Sequence, residues 1–206
     1  MPGGALFLTL EGGEGVGKST QARALARLLH RSGCPAMITR EPGGTALGRR
    51  LRRLLLQGGP IPSPWTELFL FAADRAQHMA EVVLPALRAG LVVICERFTD
   101  STIAYQGYGR GLDLQMVRQV CQMASHGLTP HLTVLLDMEP AAALARKPHG
   151  DRIGGEELDF HRRVRQGFLS LAREEPQRFL VVDASLPPGE VTQLIWRRLS
   201  ALLQER

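Results

Sequence analysis

Cysteine is scarce in this 206-residue sequence: Cys34, Cys95 and Cys121 are odd in number and widely spaced. No C-x-x-C pair exists to bind zinc or run thiol redox chemistry, so the three read as small buried hydrophobes. Long apolar runs are missing too. Residues 5–10 and 91–95 are among the longest, far short of the roughly 20 that a membrane-spanning helix requires, and no membrane partner is expected. The opening MPGGALFLTLEGG lacks a basic leader and a cleavage-site pattern, so the expected address is cytoplasmic. Lysine is nearly absent, since of the 25 basic residues only Lys18 and Lys147 are lysine. The remainder are arginines, which suit bidentate phosphate contacts, although codon bias produces the same skew. A net charge of +5 points to an anionic partner, either a nucleic acid or a small phosphorylated molecule.

What is present is an ordinary globular composition, 44% hydrophobic and 22% charged, at a length that suits one domain over residues 1–206. No internal repeat or low-complexity tract occurs. Apolar β-type runs alternate with longer stretches of helical period, the pattern of an α/β protein with a parallel sheet. Five strands are expected near residues 6–10, 36–39, 91–95, 132–136 and 179–182. Between them, Ala22, Leu25, Ala26 and Leu29, then Leu47, Leu51, Leu54 and Leu55, fall at helical spacing, so each set is expected to bury one stripe. Glycine and proline place loops at 33–35, 42–44, 58–64, 107–111 and 148–155.

The first run leads directly into EGGEGVGKST, where Gly12, Gly17, Lys18 and Ser19 satisfy G-x-x-x-x-G-K-[ST]. Glycines let the backbone curl so that successive N–H groups of Gly12, Gly13, Glu14, Gly15, Val16, Gly17, Lys18, Ser19 and Thr20 face a phosphate, with the helix dipole behind them. Lys18 is expected at the β and γ phosphates of a nucleotide, and the Ser19 hydroxyl at Mg²⁺. Such a cradle indicates nucleotide binding and no more, because motors, switches and kinases all possess one.

Ligands of parallel sheets lie beyond the carboxyl ends of the strands. After the second expected strand come Arg40 and Glu41, then a Pro-Gly-Gly turn; after the third come Glu96, Arg97 and Phe98. Buried charges of this kind are costly unless paired, and metal and phosphate would pair them. Phe71 and Arg75 are four apart in LFLFAADRAQH and share a helical face, which makes a base slot: an aromatic plane beside a donor-only fork that favours a carbonyl edge.

These motifs, EGGEGVGKST, TREPGGT, LFAADRAQH, ERFTDSTIAYQGYGRG, LTVLLD and VVDAS, resemble those of bacterial thymidylate kinases in order and spacing. The resemblance implies a P-loop NTPase-type, five-stranded parallel sheet wrapped by helices, with a short lid near 146–155, and a homodimer. It implies phosphoryl transfer from MgATP to dTMP. Carried over, Phe71 lies against thymine, Arg75 on its carbonyl edge, and Thr102 and Gln106 help read the base. Tyr105 crowds the 2′ position, Arg52 and Arg97 clamp the acceptor phosphate, Glu14 meets the acceptor sugar, and Glu41 joins the metal and phosphate surroundings. The family's Asp-Arg is here Glu96-Arg97, one methylene longer, with Glu96 expected beside Ser19 at the metal. Because the cradle has no arginine, the lid is expected to supply one from Arg146, Lys147 or Arg152.

The residues alone leave rivals open. A kinase of another monophosphate or of a nucleoside, a nucleotide-gated switch, and a nucleic-acid binder using Arg49, Arg50, Arg52 and Arg53 all fit some of the pattern. Those four arginines read more simply as a solvated face with one site member, so no nucleic-acid partner is expected.

Overall fold

The computed structural model describes residues 5–57, 63–146 and 151–204. At its centre is strand β1 (Leu6–Glu11), whose six residues are all buried. Its side chains alternate between the two faces of the sheet. Leu6, Leu8 and Leu10 pack under helices α1 (Lys18–Arg31) and α9 (Pro188–Gln204) through Leu25, Leu29, Ile195 and Leu199. Phe7 faces the other way, against Met79, Val83 and Phe98. Complete burial on both faces is what a central strand of a parallel sheet requires, and it explains the continuous apolar run.

Strands β2 (Ala36–Arg40), β3 (Val92–Glu96), β4 (Leu132–Asp137) and β5 (Phe179–Asp183) complete a parallel sheet in the order β2-β3-β1-β4-β5. All five expected strands are present within a residue or two. Pairing of Leu10 with Glu96, and of Glu96 with Arg40, levels the carboxyl ends of β1, β3 and β2. The residues that follow each strand therefore meet on one rim.

Helix α2 (Ala46–Leu56) starts at Thr45, whose hydroxyl accepts from the Gly48 N–H at 2.9 Å. Helix α3 (Pro64–His78) starts at Ser63 in the same way, so Pro64 belongs to a helix, at the position where its missing N–H costs nothing, and not to the expected loop. Residues 58–62 of that loop lie outside the described residues. A π-helical turn (Met79–Val83) carries α3 into α4 (Leu84–Arg88). After β3, α5 (Thr99–Thr102) runs into a second π-helical segment (Ile103–Gly109), followed by α6 (Leu114–Ala124). Helices α7 (Pro140–Ala145) and α8 (Leu158–Glu174) lie on either side of the stretch expected to be a lid. Among the described residues no helix is long and apolar enough to cross a membrane.

Two further expectations are corrected. The glycines over 107–111 do not simply mark a loop, because the π-helical segment runs to Gly109. A Cβ on Gly107 would stand 2.5 Å from Leu114, and one on Gly109 2.7 Å from Phe160, so there glycine serves close helix packing. The α2 stripe is not buried as a whole: Leu55 is buried, whereas Leu47 is 44% and Leu54 64% exposed.

Candidate active site

The turn after β1 is shaped by glycines. Gly15 has a φ of 70°, and a Cβ there would stand 2.0 Å from the Ala143 carbonyl oxygen, so no larger residue fits. Helix α1 then begins behind Gly17 without a side-chain cap and without an acidic residue in its first turn. Its first N–H groups and the positive end of its dipole are thus left to an anion. Lys18 folds back across the turn, its Nζ donating to the carbonyl oxygens of Gly12, at 3.1 Å, and Gly13. Desolvation, and next the Arg97 charge, pull its pKa down to about 7, against Glu14, Glu11 and Glu96. A bound phosphate would restore the lysinium charge.

One open cavity of about 390 Å³ gathers most of the predicted residues. Glu14, Gly15, Gly17, Lys18, Ser19 and Thr20 are among its lining residues. Gly12 and Gly13 shape the turn without lining this cavity, and the Val16 side chain is core. Beside the cradle, the Ser19 hydroxyl donates to Glu96 Oε2 at 2.6 Å. Two hard oxygen donors so placed fit Mg²⁺.

Arg97 occupies the middle. Its backbone takes a left-handed φ of 68°, unusual for a residue with a Cβ, while its N–H donates to Leu10 O at 3.0 Å. The guanidinium donates to Gly12 O (2.9 Å), Ser101 Oγ (3.1 Å), Glu14 Oε1 (2.5 Å) and Tyr105 Oη (3.2 Å), and stands over the Tyr105 ring. Beneath it, Glu11 accepts from the Phe98 N–H (2.7 Å) and from Ser101 Oγ. Burial, reinforced by Asp100, pushes the Glu11 carboxyl up to about 7.

Phe71, Arg75, Thr102, Tyr105 and Gln106 line the same cavity. Arg75 is 2% exposed, with Nε donating to Glu41 Oε2 (2.8 Å) and Nη2 to Thr102 Oγ1 (2.9 Å). Glu41 lines the cavity as well. Its second oxygen pairs with His78 Nδ1 (2.9 Å), so both carboxylate oxygens have protein partners. The physical reason is compensation: a buried arginine needs a buried acid. In the same motif Asp74 accepts from the Gly43 N–H at 3.0 Å, and His78 Nε2 pairs with Thr39 Oγ1 at 2.6 Å. Arg52 lines the cavity too, with Nη1 donating to Pro42 O at 2.9 Å.

On the lid side, Arg146 lines the cavity and donates to Ala184 O at 3.0 Å. Arg152 does not line it, which corrects its expected role. Its Nε donates to Leu55 O (2.8 Å) and its Nη2 to Glu67 Oε2 (2.5 Å), so it fastens the chain to α2 and α3. Lys147 and residues 148–150 of the expected lid lie outside the described residues.

A phosphate cradle and an aromatic ring with a buried arginine line one cavity, an arrangement that fits a nucleotide-to-nucleotide phosphotransferase. The sequence model of the thymidylate kinase family matches residues 10–195. The chain belongs to the thymidylate kinase family. It is 56% identical over 191 residues to a thymidylate kinase of Synechococcus sp. strain JA-2-3B'a(2-13), covering 93% of this chain and 92% of that one. A thymidylate kinase of Desulfovibrio desulfuricans is 50% identical over 213 residues, covering 98% of each. The crystal structure of thymidylate kinase from Ehrlichia chaffeensis superposes with a TM-score of 0.80 at 32% identity, covering 96% of this chain and 99% of that one.

In this member of the thymidylate kinase family, the sequence reading missed the supports: Glu11, Glu67, Asp74 and His78. One signal was available. Glu67 stands four residues before Phe71 and eight before Arg75, on the same helical face. Glu11 closes an otherwise apolar strand run, and nothing local indicates that Phe98 and Ser101 satisfy it.

The raised Glu11 pKa has a defined sign. The unfolded chain releases this proton near 4.5, whereas the folded chain holds it to about 7. Between those values rising pH favours the unfolded state. Denaturant titrations across this window should show stability declining less steeply with pH in Glu11→Gln than in the parent. Parallel curves would refute the assignment.

Proposed function

We propose that this chain transfers the γ-phosphoryl group of ATP to dTMP, giving dTDP and ADP for dTTP synthesis, as one domain working in the cytoplasm. The observation that carries the reading is a single cavity lined both by the Lys18 cradle and by Phe71 and Arg75, with Arg97 hydrogen-bonded to Gly12 and Glu14 of the cradle and to Tyr105. Residues 12–20 hold the ATP phosphates. Phe71 stacks on thymine, Arg75, Thr102 and Gln106 meet its polar edge, and Tyr105 crowds the 2′ position. Glu14 meets the acceptor sugar, Arg52 and Arg97 hold the acceptor phosphate, and Arg146 is the lid-side cation for the moving group.

The acceptor phosphate oxygen is already largely ionised at neutral pH, so no residue is assigned as general base. That oxygen forms a bond to the γ-phosphorus as the bond from phosphorus to the β–γ bridging oxygen breaks. Alignment and charge neutralisation by Lys18 and Arg97 supply the catalysis. Ser19 and Glu96 would hold Mg²⁺, which when bound offsets phosphate charge.

A homodimer is supported by a patch of exposed apolar side chains. Leu47 and Leu54 on α2, Trp65 and Phe69 on α3, and Met116 and Met123 on α6 are all exposed, and α3 packs against both α2 and α6. Exposed apolar side chains on three helices that pack together suit burial against a second copy of the chain. Leu54→Glu combined with Phe69→Glu should convert a dimer to a monomer in sedimentation velocity; a parent that sediments as a monomer would remove the patch from this role.

Coupled ADP-release assays with ATP, Mg²⁺ and each nucleoside monophosphate should give the highest kcat/KM with dTMP. Faster use of dGMP or dCMP, or ATP hydrolysis indifferent to any acceptor, would defeat the reading. Lys18→Met should lower kcat by roughly 100-fold or more with an unchanged circular dichroism spectrum. Near-normal turnover would take this lysine out of the chemistry.

A further inference from the structure

Glu67 lies on α3, 1% exposed, behind the base end of the cavity and outside its lining. Its carboxylate accepts from Gln106 Nε2 at 2.8 Å, from Arg110 Nε and Nη2 at 3.1 and 3.2 Å, and from Arg152 Nη2 at 2.5 Å. Burial pushes its pKa up, but hydrogen bonds from Arg110, Arg152 and Gln106 outweigh that and hold it below the usual range. Glu67 is therefore ionised, and an ionised carboxylate only accepts.

That restriction decides the state of a neighbouring side chain. The two ends of a glutamine amide have the same shape, and the hydrogen-bond partner determines which end points where. Facing Glu67, Gln106 can turn only its NH₂ group. Gln106 itself lines the cavity, so the end left for the base is the carbonyl Oε1.

We propose that Glu67 is a specificity-determining positioning residue: by taking the Gln106 NH₂ it makes the slot present an acceptor, Gln106 Oε1, beside the donor Arg75. This inference rests on the proposed use of dTMP. Thymine and uracil carry an N3–H donor next to the O4 acceptor, which matches an acceptor beside a donor. Cytosine reverses both groups, with a lone pair at N3 and an amine at C4. Against it, Oε1 faces a lone pair and Arg75 faces N–H groups, leaving buried polar atoms unpaired on both sides. The discrimination therefore originates one layer behind the cavity, in a residue that does not line it.

Glu67→Gln tests this in the full-length enzyme, because the new amide is isosteric but able to donate, so Gln106 is no longer held one way. The measurements are kcat/KM for dTMP, dUMP and dCMP, with the melting temperature alongside. The dTMP-to-dCMP ratio should fall at least tenfold, through KM more than kcat. The dTMP-to-dUMP ratio, which compares identical polar edges, should be unchanged. Glu67→Asp, still acceptor-only, should retain more of the dCMP discrimination than Glu67→Gln. An unaltered dTMP-to-dCMP ratio in folded Glu67→Gln, or an equal fall in both ratios, would overturn the proposal.

A second measurement does not depend on the variant folding. In the ¹⁵N-labelled parent, the Gln106 side-chain NH₂ protons, assigned by their loss in Gln106→Leu, should exchange slowly with water before and after dTMP is added. Exchange as fast as in free glutamine would overturn the assignment. Parent selectivity for dTMP over dCMP tests the proposed function; its loss in Glu67→Gln tests the inference.

Discussion

The ends of β1 and β3 are joined through Arg97, and the cavity is organised around that joint. A left-handed backbone costs a non-glycine residue about 1–2 kcal/mol, and here it is held from several sides. Leu10 O takes the Arg97 N–H, Glu11 takes the next N–H, and Gly12 O and Ser101 take the guanidinium. The same turn aims Arg97 across the mouth of the glycine cradle toward Glu14 and Tyr105. Because every anchor except Ser101 comes from β1 or from the turn that follows it, phosphate cradle and arginine are positioned as one unit.

Around this joint each deeply placed arginine has a carboxylate from another element. Arg75 pairs with Glu41, Arg97 with Glu14, Arg152 with Glu67 and Arg178 with Asp100. Desolvation makes such pairs weak contributors to net stability, yet removing one partner strands the other and costs about 3–5 kcal/mol. Their value here lies in orientation. A guanidinium pinned through two or three of its donors presents the others in a fixed direction, which suits a site that works by alignment and charge placement more than by proton transfer.

The chemistry-bearing motifs were readable in the sequence because each is local. The cradle needs a strand, glycines and a helix start in succession, and Phe71 and Arg75 need only helical spacing. Strands β1, β3 and β4 were legible because they are buried on both faces and so are nearly uninterrupted apolar runs. The misreadings share a cause as well. Gly107 and Gly109 were taken as loop signals because glycine favours turns, whereas their neighbours Leu114 and Phe160 reveal a packing constraint. Leu47 and Leu54 matched a buried stripe by period alone, and period does not reveal whether anything covers the face. Arg152 carried the right charge for phosphate work, but its partner Glu67 lies 85 residues away.

Residue order along the chain thus determined the fold class, the phosphate cradle, the aromatic and arginine slot, and the family to which the chain belongs. All of these are set by steric and periodic rules acting over a few residues. Only the tertiary structure decided which acid neutralises which arginine, that Ser19 meets Glu96, that Arg152 is a fastening, and that Glu67 fixes the face Gln106 shows to the cavity. Charge compensation in a low-dielectric interior depends on distance in space, and a linear sequence does not contain that distance.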